Sequence, residues 1–514
     1  MTINIYSLWG QPWILSVVSG ILLSLSFPPI DLPILQIPAF ILLFRLADLS
    51  IDWRDLATKA LVSFLIWNLA TTYWLMAATP AGGAAAIFAN SLLMLIPLML
   101  MRSLLRRQLH PLGKSILIGS AWVSYEFLHH HWDLAWPWLA LGNGWSTMPA
   151  LIQYISATGH LAISFWVVAT ATMMYKSILS LTKTHFIYAL TLFLLFPAIS
   201  VFSTILYQEQ AADTLQAAVI QPNMDSYQRY GGLANVDELL TGLLELSDSA
   251  RTDQTDLIVW PENAIDSAIS RENRFNARIQ DSLRSWNTEL ITGTGLIRYY
   301  DPDKEPSLVR GYVGNNSYNI FNSALHFTGE GLPDVYKKGQ LVPVVERLPY
   351  AETLQKLDLF GWVNWGEIAG YGKGTDMNNF MIRQYRTPAL ICYDSVFPGW
   401  VGGFVRNDAD FLTIITNDGW WGDTSGHIQH FAYARLRAIE FRRWVVRSAN
   451  NGISGIISPD GQVQAETDYW TRTAFTHNIH PSGRQTFFAR YGNWFNWLML
   501  LGAVFSIVLL VRDK

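Results

Sequence analysis

Cysteine is almost absent: Cys392 stands alone among 514 residues. A lone cysteine excludes an internal disulfide, and it leaves no second thiol to exchange with in an oxidising compartment. Charge is scarce as well. Charged residues make up 15% of the chain, against roughly 25% in an ordinary soluble domain. The net charge of -4 and the lack of a basic cluster interleaved with aromatics argue against nucleic acid as a partner. Aromatics, in contrast, are plentiful. The 22 tryptophans fit the interfacial belts of a membrane protein better than base stacking. Half of the residues are hydrophobic and mean hydropathy is positive.

The apolar residues are unevenly spread. Long apolar stretches run to about Tyr207, ordinary globular composition follows to about Ser482, and one more apolar stretch lies beyond it. Crossing the hydrocarbon core takes roughly 20 apolar residues. The stretches 11–28, 32–49, 56–77, 84–105, 115–133, 151–178, 185–207 and 492–511 meet that need and predict eight transmembrane helices. Prolines in Phe27-Pro-Pro-Ile-Asp-Leu-Pro33 separate the first two, because proline ends one helix and opens the next. The first stretch lacks a basic leader and a small-residue cleavage site, so it is expected to be retained. Basic residues lie around the linkers after spans two, four and six: Arg45, Arg54 and Lys59, then Arg106, Arg107 and Lys114, then Lys176 and Lys183. The intervening linkers carry none. The positive-inside rule then predicts a cytoplasmic amino terminus and an outward-facing domain after span seven. The expected division is 1–210, 211–482 and 483–514.

Asn68, Asn90, Glu126 and His160 fall within the spans, where ionisable residues are functional candidates by default. Glu126 reads more simply as bonded to neighbouring helices. His129, His130 and His131 point in different directions on a helix and make a poor metal site. Trp136–Asn143 reads as an outward-facing or re-entrant aromatic loop.

Between the apolar regions, short β-rich runs recur at Ala217–Ile220, Leu257–Trp260, Leu290–Thr294, Ala389–Cys392, Phe411–Thr416 and Gly455–Ile457. Helical patterns at Asn235–Ala250, Phe275–Arg284 and His430–Arg443 lie between some of them, which predicts an α/β layered fold. Leu354–Met381 has no clear strand and reads as a lid or a membrane-facing arm. Three chemically useful residues stand beside apolar runs: Glu262, Lys338 and Cys392. A cysteine nucleophile needs a base, which a carboxylate in a dry pocket supplies. It also needs a cation or donor for the oxyanion, which a lysine supplies. Taken singly, Cys392 reads first as a packed apolar residue, Glu262 as a surface carboxylate and Lys338 as a solvated charge. His427 and His430 offer only a weak papain-like alternative.

The order of the motifs separates these readings. Trp260-Pro-Glu-Asn-Ala264, the Lys338 segment, Ile391-Cys-Tyr-Asp394, Thr416-Asn-Asp-Gly-Trp-Trp-Gly-Asp423, Gln429-His430, Ala434–Glu440, Arg447–Gly452 and Ser458-Pro-Asp-Gly461 resemble the Glu-Lys-Cys set of the nitrilase superfamily. With the multi-span frame, the chain resembles the apolipoprotein N-acyltransferase family over essentially its whole length.

The resemblance implies an α-β-β-α sandwich domain, with Glu262 as general base, Lys338 as oxyanion-stabilising cation and Cys392 as nucleophile. Glu346, Tyr393, Asp394 and Asn322 match supporting positions. It implies a fatty acyl chain taken from a membrane phospholipid such as phosphatidylethanolamine, held as a thioester, and passed to the α-amino group of diacylglyceryl-cysteine in an apolipoprotein. It implies no cofactor or metal, and a bacterial inner membrane with the catalytic domain facing the periplasm. The chain departs from the family at Asp394, where glutamate is usual, and at Gln340-Leu-Val-Pro-Val-Val-Glu346, which lacks the usual His and Gly. The register favours Lys338 over Lys337. The rival readings are a membrane-tethered nitrilase-type amidase, a transporter or receptor with an outer binding domain, and a catalytically dead scaffold.

Overall fold

The computed structural model describes residues 9–206, 213–268, 274–357 and 365–512. The chain forms two compact units, with boundaries at 208/209, 427/428, 440/441 and 485/486. Residues 428–440 and 486–514 group with the amino-terminal unit.

The first unit is helical. Helices cover Pro12–Leu25, Gln36–Leu49, Trp53–Thr72, Pro80–Leu93, Leu95–Leu105, Pro111–His129, Leu161–Ser180, Lys183–Leu206 and Trp494–Arg512. Proline opens three of them at the first turn, where its missing N–H costs nothing. Asp52 caps the helix Trp53–Thr72 by accepting from the amides of Arg54 and Asp55. Every stretch expected to span carries a helix, but among the described residues four are long and apolar enough to cross a membrane: Pro80–Leu105, Leu161–Ser180, Lys183–Ile205 and Trp494–Arg512. The others are shorter or carry charge; Gln36–Leu49 has 14 residues, and Trp53–Thr72 opens with Arg54, Asp55 and Lys59.

Leu161–Ser180 is the best buried of the four and Lys183–Ile205 the least. Phe186, Phe202 and Ile205 on the latter are 60%, 60% and 72% exposed, an apolar surface suited to lipid rather than water. Small residues let the helices approach. A Cβ on Gly20 would lie 2.6 Å from the Ser63 carbonyl oxygen, and the Ser19 and Ser63 hydroxyls bond at 2.9 Å.

The predicted aromatic loop is buried, with short 3₁₀ turns at Pro137–Leu139 and Leu141–Trp145. Its backbone is satisfied by side chains: Leu141 N–H donates to Glu126 Oε1 at 2.9 Å, and Gly142 N–H to Ser164 Oγ at 3.1 Å. Glu126 also accepts from Trp122 Nε1 at 2.7 Å. Gln429 ties several segments at once. Its Oε1 accepts from Trp74 and Trp138, and its Nε2 donates to the Pro28 and Thr71 carbonyls, each at 3.0 Å. The three histidines take separate partners: His129 accepts from Trp132, His130 stacks on His160, and His131 meets the Phe127 carbonyl.

The second unit is built on two large sheets. Its strands are β1 (Leu215–Gln221), β2 (Leu257–Val259), β3 (Ile265–Ala268), β4 (Glu289–Tyr300), β5 (Gly311–Val313), β6 (Asn316–Phe327), β7 (Asp334–Lys337), β8 (Phe380–Ile382), β9 (Tyr385–Thr387), β10 (Ala389–Ile391), β11 (Leu412–Thr416), β12 (Val445–Ala449), β13 (Gly455–Ile457), β14 (Val463–Glu466) and β15 (Thr473–Ile479). One sheet runs β15-β1-β2-β4-β6-β5, with β3 beside β4 and β7 beside β6; the other runs β10-β11-β12-β13-β14. The parallel strands β10, β11 and β12 are buried throughout; the first two read as largely apolar runs, whereas β12 carries Arg447 and Ser448. The sheets meet at β1 and β12, where Ser448 Oγ donates to the Ile220 carbonyl at 2.8 Å.

Helices Val236–Ala250 and Arg274–Trp286 cover the first sheet. Leu239, Leu240 and Leu243 of one and Ile279 and Leu283 of the other share a core with Ile258, Leu290 and Leu325. Asn235 caps the first by accepting from Glu238 N–H, and Glu238 accepts in return from Ala234 N–H. Of the expected lid, residues 358–364 lie outside the described residues. The remainder contains the short helices Ala351–Leu357 and Trp365–Ile368 and strand β8.

Candidate active site

Three strand ends of the second unit carry the predicted residues. Glu262 follows β2. Its backbone is fixed against β4, because Trp260 N–H donates to the Ile291 carbonyl and Gly293 N–H to that of Pro261. The approach demands glycine: a Cβ on Gly293 would lie 2.5 Å from Glu262 Cα. Lys338 follows β7, with its N–H on the Asn322 carbonyl at 2.9 Å and its own carbonyl accepting from Gly374 at 2.8 Å. Cys392 follows β10, which pairs in parallel with β11. Its φ of 46° is left-handed, a strained conformation for a side-chain-bearing residue and one that clusters at functional sites. Ser395 Oγ holds the Cys392 carbonyl at 2.7 Å.

The charged side chains converge. Lys338 Nζ lies 2.8 Å from Glu346 Oε1 and 3.4 Å from Glu262 Oε1. Asn322, on β6, donates from Nδ2 to Glu262 at 2.7 Å and to Glu346 at 3.1 Å. The second oxygen of Glu262 accepts from the Asn417 N–H at 3.0 Å, and that of Glu346 from Val342 N–H at 2.8 Å. Glu262, Lys338, Asn322 and Cys392 are all buried. Burial alone would lower the Lys338 pKa, but the charges of Glu346 and Glu262 hold the ammonium well above its ordinary value. Burial raises Glu262, with Lys338 opposing and Glu346 adding to the rise. Burial also pushes the Cys392 thiol up, and the Glu262 charge reinforces this against Lys338. The resting cysteine is therefore a thiol that must lose its proton before it attacks.

Asp394 reaches its partners despite the shorter side chain. Oδ1 accepts from Gln340 N–H at 2.7 Å and Gly339 N–H at 3.2 Å, while Oδ2 accepts from Tyr336 OH at 2.8 Å and Ile391 N–H at 3.1 Å. It thus ties the backbone just after Lys338 to the turn that presents Cys392. Burial pushes its carboxyl up to about 7, against Lys338 and the donors around it. Tyr393 is buried and packs edge-on against Phe397, with ring centroids 5.0 Å apart. His427 is engaged elsewhere, stacked on Tyr469 at 4.1 Å.

The single-residue reading missed four contributors. Asn417 acts through its backbone N–H, which no residue type announces. Asp418 and Arg447 form a buried ion pair at 2.7 Å that braces the same turn, and Thr416 Oγ1 adds a hydrogen bond to Asp418 at 2.7 Å. Tyr336 becomes visible only once Asp394 is seen to be its partner. The signal for Asn417, Asp418 and Arg447 was their place in the quoted motifs.

Residues 216–487 match the carbon-nitrogen hydrolase family, and this two-sheet unit is of that nitrilase-superfamily class. Residues 19–173 match the apolipoprotein N-acyltransferase N-terminal domain. An apolipoprotein N-acyltransferase of Chlorobaculum tepidum is 30% identical, over 99% of this chain and 98% of that protein. One from Pseudomonas syringae is 24% identical over 96% and 98%, and one from Geobacter metallireducens 26% identical over 98% and 96%. The chain belongs to the apolipoprotein N-acyltransferase family and is an acyltransferase with apolar, membrane-type helices.

Proposed function

We propose that the enzyme moves a fatty acyl chain from a phosphatidylethanolamine-like phospholipid, through a thioester on Cys392, to the α-amino group of diacylglyceryl-cysteine in apolipoproteins. The observation that carries this reading is the buried Glu262–Lys338 pair, at 3.4 Å, beside a cysteine held in a left-handed turn. Glu262 takes the thiol proton, and the thiolate attacks the ester carbonyl of the lipid. The Lys338 ammonium stabilises the oxyanion of the tetrahedral intermediate. As that intermediate collapses, the lysophospholipid leaves as an alcohol with the proton from Glu262. The acceptor amine then attacks the thioester, Glu262 takes its proton, and the thiol is regenerated as the amide forms. Glu346 and Asn322 hold Lys338 and Glu262 in register, Asp394 holds the nucleophile turn, and Tyr393 packs the wall behind it.

The same reading divides the chain into 1–210, 211–482 and 483–514, with eight spans. The catalytic domain faces the periplasm of a bacterial inner membrane. A helix under each apolar stretch and the basic residues confined to alternate linkers support this topology.

Incubating the purified protein with chain-labelled phospholipid should give an adduct on Cys392 that hydroxylamine releases. Cys392→Ser should lack it while remaining folded. Acylation of a lipopeptide by Cys392→Ser would overturn the thioester route.

A further inference from the structure

Three loops of the catalytic unit, Pro222–Gln228, Asn417–Thr424 and Glu466–Thr471, are stitched together. Ser226 Oγ donates to Asn417 Oδ1 at 2.8 Å, Tyr227 OH to the Trp420 carbonyl at 2.9 Å, and Asn223 Nδ2 to the Trp470 carbonyl at 3.1 Å. The rings they carry form two pairs. Tyr227 meets Trp420 edge-on at 5.3 Å, and Tyr469 lies 5.7 Å from Trp470. Tyr227, Trp420 and Trp470 are 64%, 38% and 48% exposed, so ring surface faces outward. The loops carry Asp225, Asp418, Asp423, Glu466 and Asp468; they contain no Lys or Arg, though Arg229 and Arg472 flank them and Arg447 pairs with Asp418. Asp423 is exposed and makes no ion pair among the described residues. Its field reaches the rings: after burial, the Asp423 charge is the next cause that pushes the Tyr469 hydroxyl up to about 12, with Asp418 and the Tyr227 phenol adding to it. His427, beneath Tyr469, is held toward its neutral form by burial and so supplies no competing charge.

Aromatic faces beside an exposed carboxylate that makes no ion pair among the described residues are complementary to an organic ammonium ion. The patch adjoins the chemistry, because Asn417 bonds both Ser226 and, through its N–H, Glu262. We infer that Trp420, Trp470, Tyr227 and Asp423 form a recognition site for a primary alkylammonium group. Resting on the proposed acyl transfer, this group belongs either to the ethanolamine head of the donor lipid or to the α-ammonium of the acceptor before it loses its proton.

Calorimetry on the full-length Cys392→Ser protein tests the site without turnover. The probes are glycerophosphoethanolamine and a diacylglyceryl lipopeptide with a free amine, each against its N-acetylated form. At least one free-amine probe should bind, and the one that does identifies the source. N-acetylation should weaken binding roughly tenfold, as should Trp470→Leu and Asp423→Asn, whereas Trp470→Phe should retain most of it because the ring face survives. The inference is overturned if neither amine binds, if the N-acetylated forms bind as tightly, or if Leu and Phe at 470 behave alike. Thioester formation by the unaltered enzyme is scored separately. An enzyme that forms the adduct but shows no ammonium preference loses the site and keeps the proposed reaction.

Discussion

The two units use buried polar groups for different ends. In the helical unit, buried side chains such as these bind backbone: Gln429 two carbonyls, Glu126 the Leu141 N–H, Ser63 the Ser16 carbonyl at 2.8 Å. Each fixes one segment against another, and Gln429 uses all of its amide capacity in doing so. In the sheet unit, Lys338 is shared between Glu262 and Glu346, and Cys392 is buried in a strained turn with a neighbouring carboxylate charge that disfavours its thiolate. One arrangement joins segments of the frame. The other keeps charge concentrated where a reacting oxyanion would use it. Mutations should therefore separate chemistry from stability according to the unit they fall in.

The largest effect is expected at Lys338. Lys338→Met removes the oxyanion cation and leaves Glu262 and Glu346 facing each other. Thioester formation should fall by about 10²–10³-fold, and stability should drop by roughly 3–5 kcal/mol, as for a broken buried pair. Stopped-time labelling and chemical denaturation measure the two separately. Loss of stability without loss of rate would make Lys338 a scaffold residue and erase the contrast between the units.

Glu262 comes next. A general base works ionised, and burial raises this carboxyl above its ordinary value. The rate of thioester formation should thus decline as pH falls, with the acid limb above the usual carboxylate range. Glu262→Gln should be slow at every pH and lack that limb. A wild-type limb at an unperturbed carboxylate pKa would assign the base elsewhere.

Asp394→Asn turns an acceptor of four donors into a partly mismatched amide. A loss of about 1–3 kcal/mol in stability is expected, together with a slower enzyme as the Cys392 turn loosens. Because burial raises the Asp394 carboxyl from 3.8 to about 7, the fold favours its neutral form. That contribution is fully present below the lower value and fades as pH rises through the upper one. The Tm gap between wild type and variant should narrow across this window, while variants of the helical unit show no such trend.

How far the sequence disclosed these features differs between the units. Apolar length and basic linkers located each helix, since both are written in consecutive residues. They did not give the helix lengths: the apolar stretch 32–49 carries a helix of only 14 residues, Gln36–Leu49. In the sheet unit, the buried strands β2, β10 and β11 were legible as apolar runs. The long β6 was not, because its inward polar residues, Asn322 among them, break the apolar pattern. Glu262, Lys338 and Cys392 were candidates by residue type, and motif order raised them above the rest. Asn417 N–H and the Tyr336–Asp394 bond depend on chain segments far apart in sequence, and no local pattern encodes them.

Gln429 tests the helical side of the comparison. Gln429→Leu removes the acceptor shared by Trp74 and Trp138 and the donor to two carbonyls. A destabilisation of roughly 2–4 kcal/mol is expected from several buried bonds lost together. The pH limb assigned to Glu262 should stay where it is in the folded fraction. A shifted limb would mean that the helical unit tunes the chemistry as well as holding the frame.

The smallest effect is expected at Ser19. Its hydroxyl bonds Ser63 at 2.9 Å, but it also has the Ser16 carbonyl at 3.0 Å, and Ser63 has that same carbonyl at 2.8 Å. Removing Ser19 leaves each neighbour another partner. In a bilayer the unfolded helices also satisfy their hydroxyls locally, so such bonds average only about 0.6 kcal/mol. Ser19→Ala should thus shift unfolding in detergent by no more than about that amount. Gly20→Leu, one residue on, should cost far more, because its Cβ alone would lie 2.6 Å from the Ser63 carbonyl oxygen. If the serine change proved as costly as the glycine change, hydrogen bonding rather than close packing would be what joins these two helices.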